Sequence, residues 1–249
     1  MNPILTVPLL DFRVYKNTLF EIPFGRKTLI NTINQYSFCI AQKDAAFKIA
    51  LQGSDILLAD GMAIVSAVQL LNGKSISKIA GADLHNHLLS QLNAKGGSCF
   101  YLGSSGGTLE RIIDRHRKEF PNVQVQSFSP PFKASFSAEE NQEMITVVNA
   151  FSPDILFIGM TAPKQEKWAF EHREELDARI ICSIGAVFDF YAGTVERPTP
   201  FWIRLKLEWF IRFIKEPRRM SKRYLYYGPV FIAAMLKEKV KVLFIKSNL

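Results

Sequence analysis

The chain has 249 residues, of which 48% are hydrophobic, 12% aromatic and 22% charged, which allows a sizeable core and excludes an intrinsically disordered protein. Its net charge of +8 is unevenly placed: segment 197–249 carries thirteen Lys/Arg against three Glu, a local net of +10, whereas 1–196 is near neutral at −2. A neutral body with a basic tail points to a polyanion, whether nucleic acid, anionic lipid or a phosphorylated substrate. Cys39, Cys99 and Cys182 are odd in number and far apart, so they read as buried thiols of a reducing compartment. The N-terminal stretch has no basic segment before its short apolar run, so no secretory signal is expected and a cytoplasmic location follows.

The first thirty residues predict short strands and turns punctuated by Pro3, Pro8 and Pro23. From about Leu29 the pattern becomes α/β. A helix is expected over 40–52, then a strand over 55–59 ending on Asp60-Gly61, then helices over 62–72 and 82–94. A strand at 99–102 runs into the glycine-rich turn 103–107, and a helix follows over 108–119. The unit recurs with a strand at 155–159, a loop holding Thr161 and Pro163, a helix from Lys164, and a strand at 180–184 ending in Gly185. This alternation predicts an α/β fold with a Rossmann-like, doubly wound parallel sheet. Ligands of such sheets bind outside the carboxyl ends of the strands, so Asp60, Gly103, Thr161 and Gly185 are expected to face one crevice.

Residues 201–249 differ, mixing aromatic and basic residues at helical spacing. Their longest uncharged run, 224–236, has thirteen residues, short of the about twenty that a membrane span needs. The pattern suits a surface-docking appendage with embedded aromatics and Lys/Arg on phosphates. Packing of Trp202, Leu205, Trp209 and Phe213 on the body is the alternative left open. The chain is therefore divided into a catalytic body, 1–196, and a basic, helical appendage, 197–249.

Asp60, closing a strand at the crevice, is placed to take a proton from an attacking hydroxyl, although Asp-Gly after a strand also serves as a turn device. The 103–107 turn resembles a phosphate cradle before a helix N-terminus, without completing the G-x-G-x-x-G pattern. The stretch from Ala162 to Lys167 opens a helix with Pro163 in the first turn and Glu166 near the positive end of the dipole, and it brings Lys164 and Gln165 to the crevice. No Asp-x-Asp pair stands at a strand end. The four histidines form no ligand set, since His85 and His87, two apart on a helix, point to different faces. No metal site is expected, and P-loop and serine-hydrolase motifs are absent from the sequence.

Taken in order, Ala59-Asp60-Gly61, Ala80-Gly81-Ala82-Asp83-Leu84, the strand ending at Gly103, the Gly159 to Lys167 stretch with Pro163-Lys164-Gln165-Glu166, and Gly185 to Gly193 with Asp189 are followed by Glu196-Arg197-Pro198, Leu207-Glu208-Trp209 and Glu216-Pro217-Arg218-Arg219. From about Leu29 to Arg223 this resembles the WecG/TagA/CpsF family of glycosyltransferases (glycosyltransferase family 26). The resemblance implies a Rossmann-like body with a membrane-docking basic appendage, peripheral on the inner face of the plasma membrane. It also implies inverting, metal-independent transfer from a UDP-sugar, typically N-acetylmannosamine or its uronic acid. The acceptor is the 4-hydroxyl of undecaprenyl-diphosphate-linked N-acetylglucosamine.

Carried over by position, Asp60 matches the general base, and Thr32 and Asn34 match a Thr-x-Asn element that lies beside it and contacts the sugars, Thr32 being grouped with Asp60 as catalytic. Gly61, Lys78, Asp83, Gly103, Lys164, Gln165, Glu166 and Asp189 fall on substrate-binding motifs, and Arg212, Arg218, Arg219 and Arg223 on diphosphate-binding basics. The expected partners are the UDP-sugar, the lipid-linked acceptor and an anionic membrane surface. No separate cofactor is implied, and a homo-oligomer is compatible with the reading. Three positions depart from the family pattern: Lys78 where Arg is usual, which loses a bidentate fork, Ala186 for a second Gly, and Thr161 for Gly or Ser. They leave the donor sugar open, with another UDP-hexose, such as a glucosyl donor, as the alternative. A nucleic-acid-binding protein using the same tail is the rival from another class.

Overall fold

Apolar strands that are buried on both faces need helices on both sides, and the chain supplies them in alternation. The computed structural model describes residues 3–205 and 207–247, the side chains at 200, 219 and 245–247 excepted. A hairpin of β1 (Thr6–Leu9) and β2 (Phe12–Tyr15) opens the chain. Then come β3 (Thr28–Ile33), α1 (Gln35–Ala41), α2 (Ala45–Gln52), β4 (Ile56–Ala59), α3 (Met62–Asn72) and α4 (Gly81–Lys95). β5 (Gly97–Gly103), α5 (Gly106–Glu119), β6 (Val123–Phe128) and α6 (Ala138–Phe151) follow, and then β7 (Ile155–Gly159), α7 (Lys164–His172), β8 (Ile180–Ser183) and α8 (Ala186–Ala192). β3 to β8 form one six-stranded parallel sheet in the order β4-β3-β8-β7-β5-β6. The Rossmann-like α/β reading holds.

Side chains alternate between the faces with the period of two that a strand imposes. Cys99 and Tyr101 of β5, Ile155 and Phe157 of β7, and Ile180 and Cys182 of β8 join Leu84, Leu88, Ile112 and Phe188 on one face. Phe100 and Leu102, Leu156 and Ile158, and Ile181 join Ile145, Val148 and Trp168 on the other. All three cysteines are free and buried, as their spacing suggests.

The expected helix over 40–52 is two helices. The Asp44 side chain accepts from the Phe47 amide at 3.0 Å and starts α2, so a capping residue, unfavourable inside a helix, breaks the run. β3, β6, α6 and α8 were not specified by the sequence pattern.

The C-terminal segment contains α9 (Pro200–Arg204), α10 (Glu208–Lys215), α11 (Pro217–Ser221), a π-helical turn Lys222–Tyr226, and α12 (Tyr227–Ser247). Tyr227, Phe231 and Met235 are buried in a third apolar cluster with Val7, Phe12, Phe38 and Ile64. The Phe38 and Phe231 rings meet edge-on with centroids 5.2 Å apart. Trp209, Phe210, Ile214, Leu225 and Tyr226 remain exposed. No helix among the described residues is long and apolar enough to cross a membrane.

Candidate active site

Because all six strands run parallel, their carboxyl ends open on one side, and the residues that follow them line a single cavity of about 750 Å³. Asp60 follows β4 and Asn34 follows β3, whose penultimate residue is Thr32. Gly185 follows β8, Met160 to Glu166 follow β7, Gly103 to Gly106 end β5 and open α5, and Ser129 to Phe132 follow β6. From the appendage, Glu208, Arg212 and Arg223 close the wall near Asp60.

Half-buried Asp60 is held at the strand end by its amide, which donates to the Ile33 carbonyl at 2.9 Å. Its carboxyl is raised above the ordinary range, chiefly by desolvation; Arg212 and Lys78 pull it down, and Glu208 and Asp83 push it up. Gly61 next to it has φ +130°, a conformation that side-chain-bearing residues rarely adopt. This lets the chain leave the strand and enter α3 at once. Asn34 caps α1, accepting from the Tyr36 and Ser37 amides at 3.0 Å each.

At Gly103 the backbone of β7 comes so close that a Cβ would lie 2.5 Å from the Gly159 carbonyl oxygen. The chain therefore passes into α5 with Ser105 as its cap and Gly106 facing the cavity. The free amides of a fourteen-residue helix thus point at the site, as an anion requires. Gln165 is fixed from two sides: its Oε1 accepts from the Met160 amide at 3.2 Å, and its Nε2 donates to Glu166 Oε1 at 2.9 Å. Lys164 points its ammonium to the Lys133 carbonyl at 2.7 Å and over the Phe136 ring, which ties down the loop after β6. Asp189 lines the cavity, and its carbonyl takes the amides of Thr194 and Val195.

Glu166 is 3% exposed, and its Oε2 has no hydrogen-bond partner among the described residues. Burial pushes its carboxyl up to about 7. The protonated form is favoured in the folded state, so stability is highest below the ordinary glutamate range, declines as pH rises through 7, and stays low above it. The difference is on the order of 3 kcal/mol. Glu166→Gln keeps the hydrogen bond to Gln165 and removes the charge. It should melt roughly 6–12 °C higher than wild type at pH 8 and within about 3 °C of it at pH 5; equal melting at both values would show that Glu166 is not buried as a charge-averse acid.

The remaining candidates divide. Arg212 stacks on Phe190 with its guanidinium carbon 5.4 Å from the ring centre, and Arg223 on Tyr36 at 4.7 Å. Arg218 is exposed and does not line the cavity, and the Arg219 side chain lies outside the described residues. Gly61, Lys78 and Asp83 do not line the cavity, the last two standing in ion pairs with Glu208 and Arg197. Glu208, Arg197, Phe190 and the Ser129 to Phe132 loop line the site without having been singled out individually. For Arg197 and Glu208 the signal was present, in Glu196-Arg197-Pro198 and Leu207-Glu208-Trp209. No cluster of three or more His, Cys, Asp or Glu that could hold a metal occurs among the described residues.

A cavity of mixed polar and apolar lining at the carboxyl edge of a doubly wound sheet, with a helix N-terminus and arginines on its walls, suits a phosphorylated, nucleotide-like substrate. The profile of the Glycosyl transferase WecG/TagA/CpsF family matches residues 9–243, and the chain belongs to that family. Its relatives include a protein of Bacillus subtilis strain 168, 28% identical over 87% of this chain and 82% of the relative. One from Bacillus spizizenii strain W23 is 27% identical over 80% and 75%, and one from Staphylococcus aureus strain MW2 24% over 90% and 86%. All three are named N-acetylglucosaminyldiphosphoundecaprenol N-acetyl-beta-D-mannosaminyltransferase.

Proposed function

We propose that this glycosyltransferase moves N-acetylmannosamine from a UDP-linked donor to the 4-hydroxyl of N-acetylglucosaminyl-diphospho-undecaprenol, with inversion at the anomeric carbon. The observation that carries the reading is the meeting of Asp60, from the body, with Arg212 and Arg223, from the appendage, in one cavity. Asp60 accepts the proton of the acceptor hydroxyl as its oxygen bonds to the anomeric carbon. The bond from that carbon to the donor phosphate breaks, and UDP leaves with the electron pair. Arg212 and Arg223 offer guanidinium forks to the diphosphate as its charge grows. These two cations supply the countercharge that a divalent metal provides elsewhere, so the transfer is read as metal-independent. Thr32, Gln165, Glu166 and Asp189 line the space left for the donor, and the α5 N-terminus supplies a further anion site.

The exposed Trp209, Phe210, Ile214, Leu225 and Tyr226, interleaved with basic residues, support a surface that rests on anionic lipid at the inner face of the plasma membrane. In this reading, segment 197–249 serves as an appendage that carries the site to a substrate anchored in the bilayer. The relatives' shared name favours a mannosaminyl over a glucosyl donor, and membership of the family leaves nucleic-acid binding without support.

The test is a panel of UDP-sugars with a lipid-diphosphate-N-acetylglucosamine acceptor, run with and without a chelator. Turnover is expected with UDP-N-acetylmannosamine, unchanged by chelation. Exclusive use of UDP-glucose would replace the donor assignment, and loss of activity on chelation would overturn the metal-free reading.

A further inference from the structure

The motifs Glu196-Arg197-Pro198 and Leu207-Glu208-Trp209 have no part in the reaction above, yet their charged members meet at its edge. Lys78 Nζ lies 2.5 Å from Glu208 Oε2, with only 19% and 16% of the two side chains exposed. Arg197 lies 3.7 Å from the other oxygen of Glu208 and 2.9 Å from Asp83 Oδ1. Two cations and two anions are thus closed into a half-buried chain. Lys78 comes from the loop after α3, Asp83 from the first turn of α4, Arg197 from the segment leading into the appendage, and Glu208 from the first turn of α10. A carboxylate suits the positive end of α10 as well as both cations.

Arg212 stands four residues after Glu208 and hence on the same helix face, and both line the cavity that holds Asp60. Without the Glu208 carboxylate, Lys78, Arg197 and Arg212 would remain close together in a poorly solvated place with too little negative charge. Asp60, on whose carboxyl Lys78 and Arg212 already act, would then be an anion on offer to both. A purely structural pair far from the site would have no such effect on the reacting groups.

We propose that Glu208 is a positioning residue. By holding Lys78 and Arg197 against the body, it seats α10 so that Arg212 faces the leaving group, and it keeps Lys78 from capturing Asp60. In this role Lys78 serves the latch with its single ammonium. The proposal rests on the reading of Asp60 as base and Arg212 as diphosphate partner.

The experiment compares Glu208→Gln, Lys78→Met and the double variant in the full chain. It measures tryptic cleavage within 197–215 of the native protein, kcat and KM for the UDP-sugar, and thermal melting as a control for the fold. Glu208→Gln is expected to be cut several-fold faster and to lose roughly tenfold or more in kcat, with donor KM changed by less than about threefold. The double variant should be no worse than Glu208→Gln alone, because the two residues act as one unit. Cleavage at the wild-type rate with activity lost would make Glu208 a substrate-binding group and overturn the latch. Additive losses in the double variant would overturn it too. If cleavage and non-additivity come out as expected while Asp60→Asn stays active, the latch stands and the base assignment alone falls.

Discussion

Asp60→Asn is expected to lower kcat by roughly 10³-fold, the middle of the range for losing a general base, while leaving UDP binding and melting temperature close to wild type. The substitution keeps the shape and a hydrogen-bonding tip but removes the charge and basicity that let the carboxylate take the proton. The pH dependence gives an independent reading. Burial raises the Asp60 carboxyl above its ordinary value, and only the ionised form can act as a base. Activity should therefore fall as pH is lowered through that raised value, at a higher pH than an exposed aspartate would give, and this acid limb should vanish in the Asn variant. Initial rates with the lipid-linked acceptor across pH check both statements. Near-normal turnover by the Asn variant would remove Asp60 from the mechanism.

Arg212→Ala and Arg223→Ala carry the second large effect. Each should cost roughly 10²-fold in kcat, the scale for removing one preorganised partner of developing charge, and the double variant should lose less than the product because both act on one diphosphate. Arg212→Lys should recover only part, since a point charge replaces a planar fork. Steady-state kinetics set beside liposome flotation distinguish this role from membrane contact. Both guanidiniums face the cavity and stack on Phe190 and Tyr36, so flotation should be unchanged. A variant that loses flotation and activity together would assign these arginines to the lipid surface instead.

The carboxyl-edge turns were legible because each strand is a short apolar run ending on a glycine or an Asp-Gly pair, as at Asp60, Gly103, Gly159 and Gly185. β3 was not, because Thr28 and Asn31 interrupt its apolar run while fully buried. Asn31 finds its partner in Ser54, with Nδ2 donating at 2.9 Å, a tertiary compensation that no local pattern announces. β6 hides for the opposite reason. It lies at the sheet edge, and its glutamines alternate with apolar residues on a partly exposed face.

In the site, Asp60, Gln165 and Glu166 could be placed from motif and strand position, whereas the partners of Lys78 could not. Its pairing with Glu208 joins residues 130 positions apart, and only the folded chain brings a residue expected at the substrate against the first turn of α10. The exposed Arg218 shows the same limit, since basic residues in one short run end on different faces of neighbouring helices.

The cluster that joins Val7, Leu9 and Phe12 to Tyr227, Phe231 and Met235 also bears on synthesis. A chain emerging from the ribosome can cover β4 early with β2 and α3, but the side of α1 and α3 that receives Tyr227, Phe231 and Met235 stays uncovered until nearly the last helix has been made. The helices flanking the proposed catalytic edge and the proposed lipid-facing surface are therefore completed together. A nascent or broken chain that lacks α12 would expose the apolar residues that Tyr227, Phe231 and Met235 cover, and is expected to be an incomplete fold.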